Sequence, residues 1–250
     1  MPAPTGSAWR DRFSAMLGHA LPQACTLCAA PAGIDLVCDD CHRSLARIDG
    51  PCPRCALPLA AGAGARCLNC LASDYTFDAT DAAFAYGFPL DRLVQAYKYN
   101  GNLSLAGWFA DSMVAHRAGL GGRPGPVAAD AIVPMPLAQR RQRERGFNHA
   151  LEIARGLSRR TGIALMPRAV ERTRETAAQA TLPWSERAFN VHGAFAATMR
   201  FDGLAVIVVD DVMTTGASLE AMARTLKAAG ARHVANWVVA RTLPPRDEAS

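Results

Sequence analysis

The run LAVIVVDDVMTTGASL, residues 204–219, restricts the folds open to this chain more than any other stretch. From Leu204 to Val209 it is unbroken, apolar and β-branched, the pattern of a parallel strand buried on both faces. It passes without a linker into Asp210 and Asp211, then through a turn containing Gly216 into a helical segment, 217–229, that Gly230 ends. A strand buried on both faces needs helices above and below it. Further apolar strands are expected at 131–136, 164–170 and 233–240. A helix is expected at 147–161, with Leu151, Ala154 and Leu157 inward and Gly162 as its cap. Strands and helices alternating in this order predict an α/β fold with a parallel sheet covered on both faces. Ligands of such sheets bind at the carboxyl ends of the strands.

The turn at that end has the chemistry of a phosphate site. Gly216 lets the backbone turn closely. The amides of Met213, Thr214, Thr215, Gly216, Ala217 and Ser218 offer donors beside the positive end of the next helix. Hydroxyls of Thr214, Thr215 and Ser218 add three more. The adjacent carboxylates of Asp210 and Asp211 suit a vicinal diol or a hydrated Mg²⁺ rather than a phosphate. A phosphorylated pentose carries both kinds of group. The lysine of a Walker loop is absent.

All eight cysteines fall into four CxxC pairs: Cys25/Cys28, Cys38/Cys41, Cys52/Cys55 and Cys67/Cys70. Two thiolates two residues apart can grip one tetrahedral ion, and two such turns close a four-sulfur site, so two structural Zn²⁺ sites are expected. Disulfides would need an oxidising compartment, to which nothing directs the chain. A thioredoxin-like pair normally comes singly, at the head of a helix. An iron–sulfur cluster also takes four cysteines, usually at less regular spacings. Pairing in sequence order is the simplest arrangement, though the spacing also permits an interleaved one. His42, next to Cys41, reads as a surface residue rather than a ligand. Few bulky apolar residues lie between Cys25 and Cys70, so metal is expected to supply the folding free energy of this segment.

Ahead of the cysteines, Trp9, Phe13, Met16, Leu17 and Leu21 recur at helical spacing, an amphipathic helix within residues 1–24. Arg10, Asp11 and Arg12 interrupt any signal-peptide centre, and no stretch approaches the roughly 18 apolar residues of a membrane span. A cytoplasmic location without membrane insertion is therefore expected. Residues 75–90 suggest one or two strands, followed by helices at 90–99 and 103–119 and a Gly-rich connector at 119–126. Lys98 is one of only two lysines; it reads either as a snorkelling surface residue or as a phosphate ligand. Residues 139–175 hold ten arginines against four acids. That surplus reads either as a solvated face or as a surface for phosphates, nucleic acid or an acidic partner.

Residues 206–218, VIVVDDVMTTGAS, resemble the phosphoribosyl-pyrophosphate (PRPP) signature of the type I phosphoribosyltransferases. VPMPLAQRRQRERGFNHALEIAR, RTRETAAQATLPWSERAFNVHGAF and the eight-cysteine front together resemble the competence-protein-F-like (ComF) family. His149 stands where that family usually has Gln. The resemblance implies a parallel-sheet type I phosphoribosyltransferase fold preceded by a small N-terminal double zinc ribbon. The ribbon would span 25–72 and the transferase-like domain 73–245, with its core at 128–241 and a flap at 172–190. Asp210 and Asp211 would bind the ribose hydroxyls and serve as the catalytic pair, and Thr214, Thr215, Gly216 and Ser218 would hold the 5-phosphate. Pro134, Met135 and Pro136 would lie at the pyrophosphate, with Arg145 supplying charge. Arg172, Arg174 and Arg187, on the flap, would neutralise the leaving group.

Two functions follow from the resemblance. One is an enzyme transferring phosphoribose from PRPP, with Mg²⁺, to an acceptor. The other is a PRPP- or nucleotide-binding protein without turnover, partnered with single-stranded DNA or competence machinery. No RRM, OB or helix-turn-helix signature specifies nucleic acid, and 7% aromatic content offers no obvious stacking platform.

Overall fold

The computed structural model describes residues 23–59, 66–119, 129–137, 146–173 and 193–244. The expected N-terminal helix, the 119–126 connector from residue 120 onward, Arg145, Arg174, Arg187 and the flap from residue 174 onward lie outside them. Five parallel strands form one sheet: β1 Ala79–Tyr86, β2 Ala131–Pro134, β3 Ala164–Leu165, β6 Ala205–Met213 and β7 His233–Thr242, in the order β1-β7-β6-β2-β3. Among the described residues, five helices of six or more residues join α2 Leu68–Ala72 around it: α1 Asp39–Ser44, α3 Leu90–Tyr99, α4 Ser104–Gly119, α5 His149–Thr161 and α6 Ala217–Ala228.

Alternation along β6 sorts the core into two layers. Val206 and Val208 face Leu219, Met222, Ala223 and Leu226 of α6. Ile207 and Val209 face the other side, where Leu93, Phe109, Ile153 and Leu157 from α3, α4 and α5 pack. Gly156 of α5 comes so near α4 that an added Cβ would lie 2.7 Å from the Cβ of Ala110. Helix α3 buries Leu90, Leu93, Val94 and Tyr97, the face expected from its period.

The structure corrects several sequence expectations. Residues 164–170 are not one strand. β3 ends at Leu165, and after a turn through Pro167 the chain enters β4 Val170–Arg172, which pairs antiparallel with β5 Phe195–Ala197 in a separate two-stranded sheet. Leu151 is only half-buried, and Ile153 takes the inward place. A single strand, β1, forms within 75–90, and it joins the main sheet beside β7. Both β6 and β7 run past their apolar segments, to Met213 and Thr242.

The cysteine-bearing segment covers the open edge of that sheet. The amides of Thr80 and Ala85 donate to the carbonyls of Pro53 and Ala46, and Arg47 donates to the carbonyl of Ala83. An edge strand that would otherwise expose ladder groups is thereby closed. Ile48 enters the core on the α6 side and Leu45 that on the α3–α5 side, so the segment straddles the edge.

Candidate functional site

Strands β2 and β6 are neighbours, but the chain leaves them in opposite directions, toward β3 and toward β7. That arrangement is a topological switch point, where the carboxyl ends of the strands open a crevice. Pro134 pairs in register with Val209, and the Met135 amide donates to the Val209 carbonyl at 2.9 Å. The expected pyrophosphate turn and the expected ribose carboxylates are therefore adjacent.

Asp210 and Asp211 sit within β6, half-buried. Asp210 Oδ1 accepts from the Asp211 amide at 2.9 Å, and Asp211 Oδ1 from the Val212 amide at 2.6 Å. Asp211 Oδ2 is 2.9 Å from Lys98 Nζ, an ion pair that brings α3 to the site. Burial, and then the charge of Asp211, push the Asp210 carboxyl up to about 7, against the Asp211 amide, Lys98 and Arg172. Arg172, half-buried at the end of β4, lies with its guanidinium carbon 5.5 Å from the Phe195 ring centroid. Its charge adds a small contribution favouring the ionised form of Asp210.

Beyond the carboxylates, a small cavity is lined by Asp210, Met213, Thr214, Gly216, Ala217 and Ser218, among others. Gly216 has φ +85°, and a Cβ there would lie 2.6 Å from Met213 Cε. It caps α6, and Thr215 Oγ1 accepts from the Ala217 amide at 3.3 Å. Met213 buries its side chain, at 1% exposure, so what it can offer a ligand is backbone.

The opposite wall is held by a residue that sequence reading did not single out. Asn148 caps α5 by accepting from the Leu151 amide at 3.2 Å, and its Nδ2 donates to the Met135 carbonyl at 3.1 Å. The same side chain thus starts the helix and fixes the turn after β2. The expected helix begins at 147, whereas the structure starts it at His149, which makes Asn148 the cap and not a helical residue. His149 is buried against Tyr97 and Phe147, with ring centroids 5.0 and 4.5 Å away, and Tyr97 Oη donates to its carbonyl. Its place is in the wall behind the site.

The cysteines gather in sequence order into two groups, Cys25/Cys28/Cys38/Cys41 and Cys52/Cys55/Cys67/Cys70, the sulfurs of each within 4.8 Å of one another. Sγ separations of 3.7 Å for Cys28–Cys38, 3.9 Å for Cys52–Cys70 and 3.4 Å for Cys55–Cys67 bracket the edge of about 3.8 Å expected of a Zn–S₄ tetrahedron. Burial raises the Cys25 thiol, but amide donors from Cys38, Cys28 and Leu27 outweigh it and hold the group down to about 6. Burial likewise opposes, and the amides of Cys67, Cys55 and Arg54 override, at Cys52, held at about 7. Both groups fit a tetrahedral metal such as zinc. The second is wholly buried, whereas in the first Cys28 is exposed. His42 is not among the ligands; it packs edge-on against Trp108 and Phe84 at 5.7 and 6.3 Å, half-buried rather than on the surface.

Sequence reading also missed Arg241, because the apolar run of β7 stops before it. Its side chain is buried, at 1% exposure. Nε donates to the Cys55 carbonyl at 2.9 Å, and Nη1 to the carbonyls of Met213 (3.1 Å), Thr242 (2.9 Å) and Thr214. Glu220 of α6 accepts from the amide and hydroxyl of Thr76, both at 2.7 Å, shortly after the last cysteine.

A parallel sheet with this switch point, and this loop at it, defines a phosphoribosyltransferase-type α/β domain. The family model of the phosphoribosyl transferase domain matches residues 144–248. DNA utilization protein YhgH of Salmonella typhimurium (strain LT2) is 31% identical over 225 residues, 89% of this chain and 99% of that protein. Competence protein F of Haemophilus influenzae is 30% identical over 183 residues, 70% of this chain and 78% of its own. A purine phosphoribosyltransferase from Pyrococcus horikoshii aligns in its crystal structure with 54% of this chain and 83% of its own, at 19% identity and a TM-score of 0.33. The chain belongs to the YhgH and competence protein F (ComF) family of phosphoribosyltransferase-domain proteins. Among the described residues no helix is long and apolar enough to cross a membrane.

Proposed function

We propose that the chain binds PRPP with Mg²⁺ in the crevice between β2 and β6 and transfers its phosphoribosyl group to an acceptor. The observation that carries this reading is the juxtaposition at one switch point of Asp210 and Asp211, the 213–218 loop and the turn at Met135. Ionised Asp210 and Asp211 accept from the ribose hydroxyls. Thr214, Thr215, Gly216 and Ser218 surround the 5-phosphate, and Lys98 and Arg172 add positive charge beside the carboxylates. Mg²⁺ bound with the substrate would supply positive charge to the pyrophosphate. Arg172, at the end of β4, is assigned to the leaving pyrophosphate, as are Arg174 and Arg187, which lie outside the described residues. Both four-cysteine centres hold structural Zn²⁺; with four sulfurs each, neither leaves a position for a reacting water.

A second reading, a PRPP- or nucleotide-binding role without turnover in DNA uptake or single-strand processing, draws on the names of the relatives, a DNA utilization protein and a competence protein. Calorimetry with Mg²⁺ and PRPP on the wild type and on Asp210→Ala tests the site, and equal heats would overturn it. Pyrophosphate release with a panel of bases and amines separates transfer from binding alone.

A further inference from the structure

The geometry points to Arg241 as a positioning residue that aims the loop's phosphate-facing amides and ties their aim to the metal held by Cys52, Cys55, Cys67 and Cys70. The inference rests on the reading of the crevice as a phosphoribosyl site.

In a planar trans peptide the C=O and the following N–H point in opposite directions. Arg241 Nη1 takes the carbonyls of both Met213 and Thr214. The amides that must then point away from Arg241 are those of Thr214 and Thr215, next in the chain. Thr214 lines the small cavity beyond Asp210, and we assign the side of the loop away from the buried guanidinium to that cavity. One cation behind the loop thereby converts two peptide units into anion-facing dipoles.

The same guanidinium reaches the second cysteine centre through Nε and the Cys55 carbonyl. Its acceptors are all carbonyls, and charge complementarity comes from the cluster. Four thiolates on a dication would carry a net charge of two minus, and the Cys55 carbonyl bond holds the buried guanidinium beside them. A second tie runs on the far side of the loop, where Glu220 of α6 binds Thr76, six residues beyond Cys70. The loop is thus fastened on both its strand and its helix side to the Cys52–Cys70 module. The first centre is placed differently. Cys25, Val37 and Leu45 pack on the α3–α5 side of the sheet, the side opposite α6. Of the two centres, the second alone has a direct hydrogen-bonded route to the loop among the described residues.

Coupling of this kind is reciprocal, so ligand in the crevice must also strengthen metal retention. The test uses the full-length zinc-loaded chain, with PRPP and Mg²⁺ as the probe. Zinc transfer to a chromogenic chelator is followed with and without saturating probe. We expect release of one of the two zinc ions to slow by about tenfold, within the usual range of such couplings. In a cadmium-loaded chain, one of two metal NMR signals should shift on adding the probe. Arg241→Lys keeps a cation, but its compact ammonium cannot span from Cys55 to Thr214. That variant should bind the probe about tenfold more weakly and lose both the protection and the shift. Asp211→Asn should lose probe binding while its zinc leaves at the wild-type basal rate. Wild-type binding heats with ligand-independent release of both metals would overturn the role of Arg241 and leave the site reading intact. Absence of binding heat in the wild type would defeat the site reading and this inference with it. Should Arg241→Lys not fold, the wild-type release rates and the cadmium signals decide alone.

Discussion

Lys98 Nζ lies 2.9 Å from Asp211 Oδ2, so a lysine on α3, more than a hundred residues earlier in the chain, completes the charge arrangement at the end of β6. Both partners are largely shielded from solvent, with side-chain exposures of 20% and 15%. The pair is therefore less screened than a surface bridge. Lys98 also favours the ionised form of Asp210. Replacing it with Met should leave two adjacent carboxylates less compensated and raise the Asp210 pKa further. At pH 7 the variant should bind Mg²⁺–PRPP about tenfold more weakly, the equivalent of one pKa unit, with a smaller deficit at pH 9. Calorimetry at the two pH values reads the difference. An unchanged affinity would leave Lys98 with a structural role alone.

Asp210 itself sets a pH dependence. Its folded pKa, about 7, is raised above the ordinary value of 3.8, so the folded protein holds this proton across the interval between them. Stability from this group is full below the lower value and is lost as pH rises through the upper one. Ribose hydroxyls need the ionised carboxylate as acceptor, so binding should release a proton near neutrality and weaken below pH 7. Calorimetry in buffers of different ionisation enthalpy measures that proton. Asp210→Asn should raise Tm at pH 8, by about 3 °C, while abolishing binding.

Gly216 should tolerate no side chain. Alanine at φ +85° costs about 1–2 kcal/mol, and its Cβ would press on Met213, which the core already encloses. Gly216→Ala should lower Tm by roughly 3–6 °C and weaken PRPP binding more than tenfold, since α6 and the loop move together. Thermal melts and calorimetry on one preparation suffice.

Elemental analysis should give two zinc ions per chain, and a chelator should remove them in two phases. The first centre, with Cys28 exposed and Cys38 and Cys41 half-buried, should lose its metal first; the second is wholly buried. Complete removal should expose the segment around residues 23–72 to protease, the outcome expected of a segment whose folding free energy comes from its metal. A chain purified without metal, yet equally resistant, would refute the assignment.

Much of this architecture could be read from the sequence where one physical signal dominated. The apolar run of β6, the helical period of α3 and the CxxC spacing each carry a local pattern that tertiary packing reinforces. Two of the differences share a cause. The β6 strand was expected to stop at Asp210 and β7 before Arg241, because a charge ends an apolar pattern. Yet strands continue through charged residues when a partner waits inside: Lys98 for Asp211, backbone carbonyls for Arg241. Those partners lie far away in sequence, beyond the reach of any local window. The 164–170 segment failed differently, since Pro167 interrupts a stretch of otherwise strand-like composition.

Asn148 offers the sharpest separation of fold from site. As the cap of α5 it should contribute about 1 kcal/mol, a loss expected of Asn148→Ala in any helix. Its Nδ2 bond to the Met135 carbonyl adds a second role that Asn148→Asp isolates. Aspartate caps as well as asparagine but cannot donate, and it places a carboxylate against a carbonyl beside the expected pyrophosphate turn. Asn148→Asp should therefore melt within about 2 °C of the wild type but bind PRPP at least tenfold more weakly, with ribose 5-phosphate affected much less. Equal losses for the two ligands would mean that the turn after β2 does not face the pyrophosphate.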